Sequence, residues 1–157
     1  MALCGAESAS LEEMKRNASV NSIDFAIRLA MQAVADSETK PSLYSYCFDA
    51  EIPGWDNPGT FHSVDLWFFF ETLAKCWRPF VGKHYDLARQ MCNYWANFTR
   101  SGNPNGPDST GEAMPVWEPC TPEAPFHMLF ADQAEFSRTP PSGIMEFLVQ
   151  RALRKNG

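Results

Sequence analysis

Leu43-Tyr44-Ser45-Tyr46-Cys47-Phe48-Asp49 is the stretch on which the fold turns. It is short, rich in aromatics, and bounded by Pro41 before it and Pro53-Gly54 after it. Side chains alternate across a strand, and here both alternating sets hold apolar residues, which predicts a strand buried on both faces. Such strands lie inside a sheet that is covered on both sides. A buried strand also needs a neighbour along each edge, because unpaired backbone groups cost free energy away from water. The rest of the chain offers one other strand candidate, Phe126 to Phe130, which reads as a short edge strand. The sequence therefore holds fewer strands than its own first strand requires.

Around that strand the chain reads as helical. Ser10 with Glu13 forms a capping-box pattern that opens a helix over Leu11 to Asn17. A second helix starts after Asn21 or Ser22 and carries Ile23, Ile27, Ala30, Met31 and Val34 on one face. It ends near Asp36–Lys40, ahead of Pro41. Val64 to Cys76 is densely apolar and predicts a buried helix. Tyr85 to Thr99 is amphipathic, with Leu87, Met91, Tyr94, Trp95 and Phe98 on one side and Gly102 placed as a C-terminal cap. Pro140-Pro141-Ser142 precedes a last amphipathic helix that carries Ile144, Met145, Leu148, Val149 and Leu153. Glu51 to Thr60 and Asn103 to Pro115 are rich in turn residues and read as loops.

Composition narrows the function classes. The 157 residues are 45% hydrophobic and 20% charged, an ordinary globular balance large enough for a real core. A net charge of −6 argues against nucleic acid or an anionic membrane surface as partner. The basic tail Arg151, Arg154 and Lys155 fits the end of a helix, where cations oppose the dipole. No apolar run reaches the length of a membrane span, and the N-terminus lacks a basic-then-apolar signal pattern. The five cysteines are odd in number, widely spaced and without a Cys-x-x-Cys pair, so free thiols in a reducing, cytoplasmic setting are expected. The Asn-x-Ser/Thr matches at Asn17 and Asn97 carry meaning only in a secretory context.

Ionisable candidates are few. His62 directly follows the Pro/Gly loop that leaves the first strand, where a rigid sheet presents residues at its rim. A histidine there serves either as a general base near neutral pH or as a structural residue satisfied by a backbone carbonyl, and spacing alone does not choose. His62 and Asp65 have the spacing of two metal ligands on a helix, but no third ligand is near and no metal is expected. His84 and His127 read as structural or surface residues. No Gly-x-Ser-x-Gly turn occurs. Ser8 lies in Ala6-Glu7-Ser8-Ala9-Ser10, which lacks the flanking glycines and a preceding strand.

Four segments carry a resemblance. Leu43 to Asp49 resembles the late strand of type B carboxylesterases, the family that includes the cholinesterases. Gly59-Thr60-Phe61-His62-Ser63-Val64-Asp65-Leu66-Trp67-Phe68-Phe69-Phe70 resembles their histidine segment. Asn97-Phe98-Thr99-Arg100-Ser101-Gly102-Asn103-Pro104-Asn105 is similar to a helix end that runs into Gly-x-Pro-Asn. Met114-Pro115-Val116-Trp117-Glu118-Pro119 is similar to the Pro-x-Trp turn that follows. The four occur in the family's order, between about Asn21 and Asp132.

The resemblance implies an α/β fold, with this chain as the C-terminal part of an α/β-hydrolase, mostly helices plus one or two late strands. Residues 1–157 would form one such segment, with the upstream catalytic portion of the same domain missing. His62 would be the base of a Ser–Glu–His triad in a serine esterase that acts through an acyl-enzyme. Asp65 and Ser63 would support it, with Ser63 standing where many members have glycine. Trp67, Phe68 and Phe69 would either line an acyl or alcohol pocket or fill the core. Cys120 stands where an aromatic is usual. No cofactor is implied, and the partner would be a small carboxylic ester. Without serine and acid the chain alone should be nearly inactive. The alternative is a non-catalytic, cholinesterase-like interaction module.

Overall fold

A computed structural model describes residues 22–124, 126–138 and 143–156. The expected Leu11–Asn17 helix, Ser8, Cys4 and Asn17 lie outside the described residues. The chain divides into two compact units. The first gathers residues up to Leu43, a short run from Cys120, and the stretch from Arg138 onward. Its α1 (Ser22–Ala35) starts where the periodicity predicts, and Asp24 in its first turn pairs with Arg28 at 3.1 Å. The last turn closes through the Asp36 N–H on the Gln32 carbonyl at 2.9 Å. The C-terminal helix (Gly143–Asn156) packs against α1, with Met31 and Met145 buried. The Cys120 N–H donates to the Leu43 carbonyl at 2.8 Å.

The second unit holds the sheet and the candidate site. In chain order it contains β1 (Tyr46–Phe48), α2 (Asp65–Phe69), a single 3-10 turn (Leu73–Lys75), α3 (Gly82–Ser101), β2 (Phe126–Phe130) and all but the last residue of β3 (Ala134–Arg138). The C-terminal helix of the first unit is therefore α4. The sheet order is β1-β2-β3. β1 runs parallel to β2, with Tyr46 opposite Met128, Cys47 opposite Leu129 and Phe48 opposite Phe130. Hydrogen bonds from the Met128 N–H to the Ser45 carbonyl (2.9 Å) and from the Asp49 N–H to the Phe130 carbonyl (2.8 Å) extend the ladder at both ends.

Two expectations change here. Phe126 to Phe130 is the central strand and not the edge; Met128 and Phe130 are both 0% exposed, and β3 covers the far side. β1 is shorter than its aromatic run. Tyr46 and Phe48 point into the core while Cys47, on the other face, is exposed. β1 stands at the end of the sheet, so among the described residues the alternate backbone groups of Tyr46 and Phe48 face an open edge.

α3 buries Leu87, Ala88, Met91 and Tyr94, the spacing of one helical face. Trp95 and Phe98, expected on that face, remain 48% and 42% exposed. Gly102 ends α3 at φ +74°, the left-handed cap its position implies. The expected single helix over Val64 to Cys76 stops after Phe69. Glu71 takes φ +49°, its N–H bonds the Phe68 carbonyl (3.0 Å), and the Thr72 N–H bonds the Trp67 carbonyl (2.9 Å). This is the Schellman pattern with glutamate where glycine is usual.

Candidate functional site

The path from β1 to His62 is pinned at its base. Ala50 and Ile52 are buried in the core, and the Thr60 hydroxyl donates back to the Ala50 carbonyl at 3.3 Å. Between them the chain makes an exposed loop through Gly54, Asn57 and Gly59. It then turns sharply over residues 61–64, closed by the Val64 N–H on the Phe61 carbonyl at 3.2 Å. His62 and Ser63 are the two central residues of that turn. Ser63 takes φ +66°, at the position where a type II turn favours glycine. That is a physical reason for glycine beside the histidine, a conformation Ser63 adopts at some cost.

His62 is exposed, and among the described residues its ring makes no hydrogen bond or ion pair. Immediately after it, Val64, Phe68 and Phe69 sink into the core and fix α2. Asp65 lies in the first turn of α2, where the helix dipole favours a carboxylate. Its Oδ2 accepts a hydrogen bond from the Tyr46 hydroxyl at 2.8 Å. Burial pushes the Tyr46 phenol well above its ordinary range, and the Asp65 bond and charge push it further. Asp65 therefore ties the helix behind His62 to strand β1, and its partner is Tyr46, not His62.

Phe68 and Phe69 sit in the core cluster. Phe68 meets Phe48 (4.9 Å) and Phe80 (5.8 Å), and Phe69 meets Tyr46 (5.3 Å) and Trp95 (5.0 Å). Trp67 is only partly buried, and its ring stands edge-on to Phe61, the neighbour of His62, at 5.7 Å. The structure thus places His62 and Ser63 in one exposed turn, stands Trp67 against its Phe61, and puts Phe68 and Phe69 in the core.

The other histidines have structural settings. His84 is buried, and its Nδ1 accepts the Val81 N–H at 2.9 Å, while the His84 N–H bonds the Val81 carbonyl at 2.9 Å. These bonds satisfy the first turn of α3. Burial pulls the His84 imidazole below its ordinary value, with a smaller push the same way from Lys83. His127 belongs to the central strand β2. The four described cysteines, Cys47, Cys76, Cys92 and Cys120, are free thiols. The Asn97 amide donates to the Pro104 carbonyl at 3.3 Å, so its side chain organises the loop after α3.

Asn105 and Trp117 form a stitch the sequence did not announce. Asn105 Oδ1 accepts the Trp117 N–H at 2.7 Å, and Asn105 Nδ2 donates to the Trp117 carbonyl at 2.8 Å. The Trp117 indole N–H donates to the Ser45 carbonyl at 3.0 Å. Its ring lies edge-on to Tyr94 (5.4 Å) and Phe130 (5.6 Å). Arg78 was equally invisible in sequence; its guanidinium grips the loop before His62.

Comparisons with known proteins add a lineage. A model described as the carboxylesterase family matches residues 5–148. The acetylcholinesterase of Gallus gallus is 32% identical over 85 residues, covering 51% of this chain and 10% of that protein. The acetylcholinesterase of Bungarus fasciatus is 30% identical over 86 residues, covering 52% of this chain and 14% of that protein. The cocaine esterase of Homo sapiens is 40% identical over 55 residues, covering 30% of this chain and 9% of that protein. A solved esterase from Clostridium hathewayi, described as hydrolysing aliphatic aromatic polyesters, superposes on 96% of this chain with a TM-score of 0.55 and 16% identity. That superposition spans 34% of the solved chain, and the matches to the three curated relatives span a seventh of their length or less.

Proposed function

The chain belongs to the carboxylesterase family and has the fold of the C-terminal part of an α/β-hydrolase, and on that premise we propose that it supplies the triad histidine, His62, of a serine ester hydrolase. The observation that carries the reading is the place of His62. It stands in a tight, exposed turn beyond the carboxyl end of a parallel strand, the end at which open α/β sheets bind ligands.

In this reading the serine and the glutamate belong to an upstream portion of the same domain, which also covers the open edge of β1. His62 takes the serine proton as the hydroxyl attacks the ester carbonyl. It then gives that proton to the departing alcohol, which leaves the acyl group on the serine. In the second half His62 activates water against the acyl-enzyme and returns the proton to the serine. The Ser63 turn and the Asp65–Tyr46 bond hold the backbone on either side of the ring. Residues 1–157 alone carry no turnover.

The test is to read the coding frame upstream of Met1, express all of it, and assay a p-nitrophenyl ester with and without His62→Gln. A Gly-x-Ser-x-Gly turn upstream and a His62→Gln variant that is folded but loses several orders of magnitude in kcat support the reading. A His62→Gln variant with parental turnover refutes it, and so does a frame that begins at Met1 and hydrolyses no ester.

A further inference from the structure

We infer that Arg78 is the positioning residue for His62, holding from its N-terminal side the turn that Asp65 and Tyr46 hold from the other. This rests on the reading of His62 as the base. Arg78 lies beyond α2 and the 3-10 turn, yet its guanidinium reaches back to the loop that delivers His62. Nη1 and Nη2 donate to the two carboxylate oxygens of Asp56, each at 2.9 Å. Nη1 also donates to the Pro53 carbonyl at 3.1 Å. The same guanidinium lies 5.9 Å from the centre of the Phe61 ring, the residue next to His62, and 4.6 Å from that of Trp77. One side chain thus touches the beginning of the loop and its end.

The loop has little else to hold it. Between Pro53 and Thr60 its one internal backbone hydrogen bond is a long one, from the Asn57 N–H to the Gly54 carbonyl at 3.4 Å. Asn57 and Gly59 both sit at positive φ, +40° and +61°. Arg78 itself is anchored, for only 7% of its side chain is exposed although the loop it grips is at the surface. Gly54 is fitted to it. A Cβ there would stand 2.5 Å from both Arg78 Nη1 and Asp56 Oδ1, so any side chain would push the ion pair off its seat on the backbone. The planar fork that meets two carboxylate oxygens while lying on a ring is a property of arginine that lysine lacks.

The experiment compares Arg78→Met, Arg78→Lys, Asp56→Asn and the Arg78→Met/Asp56→Asn double variant with His62→Gln, in the full reading frame that contains this chain. It reads steady-state kinetics on a p-nitrophenyl ester and amide hydrogen exchange. A loosened base misplaces the proton acceptor without removing substrate contacts, so Arg78→Met should lower kcat by about 10- to 100-fold with KM within about threefold. Arg78→Lys should not rescue it, and the double variant should be no worse than the poorer single one. Exchange should quicken at the bonded amides of Asn57 and Val64 and stay unchanged in α3. Parental kcat in Arg78→Met beside a dead His62→Gln overturns the inference and leaves the proposed function standing. Quickened exchange in every helix also overturns it, because Arg78 would then be an ordinary stability residue. Parental turnover in His62→Gln overturns the proposed function itself, and the clamp would have no base to position.

Discussion

Replacing Tyr46 with phenylalanine removes one hydroxyl and keeps the ring, which meets Phe69 (5.3 Å), Phe130 (5.8 Å) and Trp117 (6.3 Å). The change therefore isolates the hydrogen bond to Asp65. A bond to a charged acceptor contributes about 1.5–3 kcal/mol, and partial exposure of both partners places this one near the lower end. With a urea slope of about 2 kcal/mol/M for a chain of this size, the unfolding midpoint falls by about 0.7 M. Asp65→Ala, which removes the acceptor, and the double variant close the cycle, and the coupling between the two sites should be about 1 kcal/mol. The same pair has a pH signature. The folded phenol titrates above its unfolded value of 10.0, so the folded state keeps a proton that the unfolded chain releases. The stability from this linkage is complete below that pH and is lost as pH rises through the folded value. Tyr94, raised by burial, adds a second contribution of the same sign. Tyr46→Phe should flatten part of the alkaline decline and leave the rest. A coupling within about 0.3 kcal/mol of zero, with an unchanged alkaline limb, would refute the idea that this bond holds the turn.

Two further outcomes are expected. Asn105→Ala strands the backbone N–H and carbonyl of the buried Trp117 and should cost about 2–4 kcal/mol, read from urea unfolding followed by tryptophan fluorescence. Ser63→Gly relieves a left-handed serine, so it should leave stability unchanged or raise it by up to about 1 kcal/mol in the same assay, and a loss of more than about 1 kcal/mol would mean the serine side chain holds the turn.

Local signals were legible and distant partnerships were not. The start of α1, the body of α3 and the Gly102 cap follow from periodicity and from glycine, which act within a turn of chain. The break after Phe69 escaped because Glu71 performs a glycine's task; nothing in Phe-Phe-Phe-Glu-Thr marks a left-handed residue. The sequence alone puts β2 at the edge because β3, Ala-Glu-Phe-Ser-Arg, carries a weak strand signal, and the position of a strand in a sheet depends on its neighbours. At the site, His62 was visible from its place after the loop. Tyr46 and Arg78 were not visible as its supports, because each works across a sequence separation of 19 to 25 residues.

The four segments that resembled the carboxylesterases look like separate matches in sequence, but much of their length forms one connected object in space. Tyr46 of the strand bonds Asp65 of the histidine segment, Asn105 of the helix end bonds the backbone of Trp117, and the Trp117 indole bonds Ser45 beside the same strand. Phe69 and Phe130 close the ring of contacts around Tyr46. A substitution in one segment therefore strands a polar group or an aromatic face in another, and the cost falls on the whole unit. Through these contacts the turn presenting His62 is connected to residues as distant as Asn105, which a list of local motifs does not reveal.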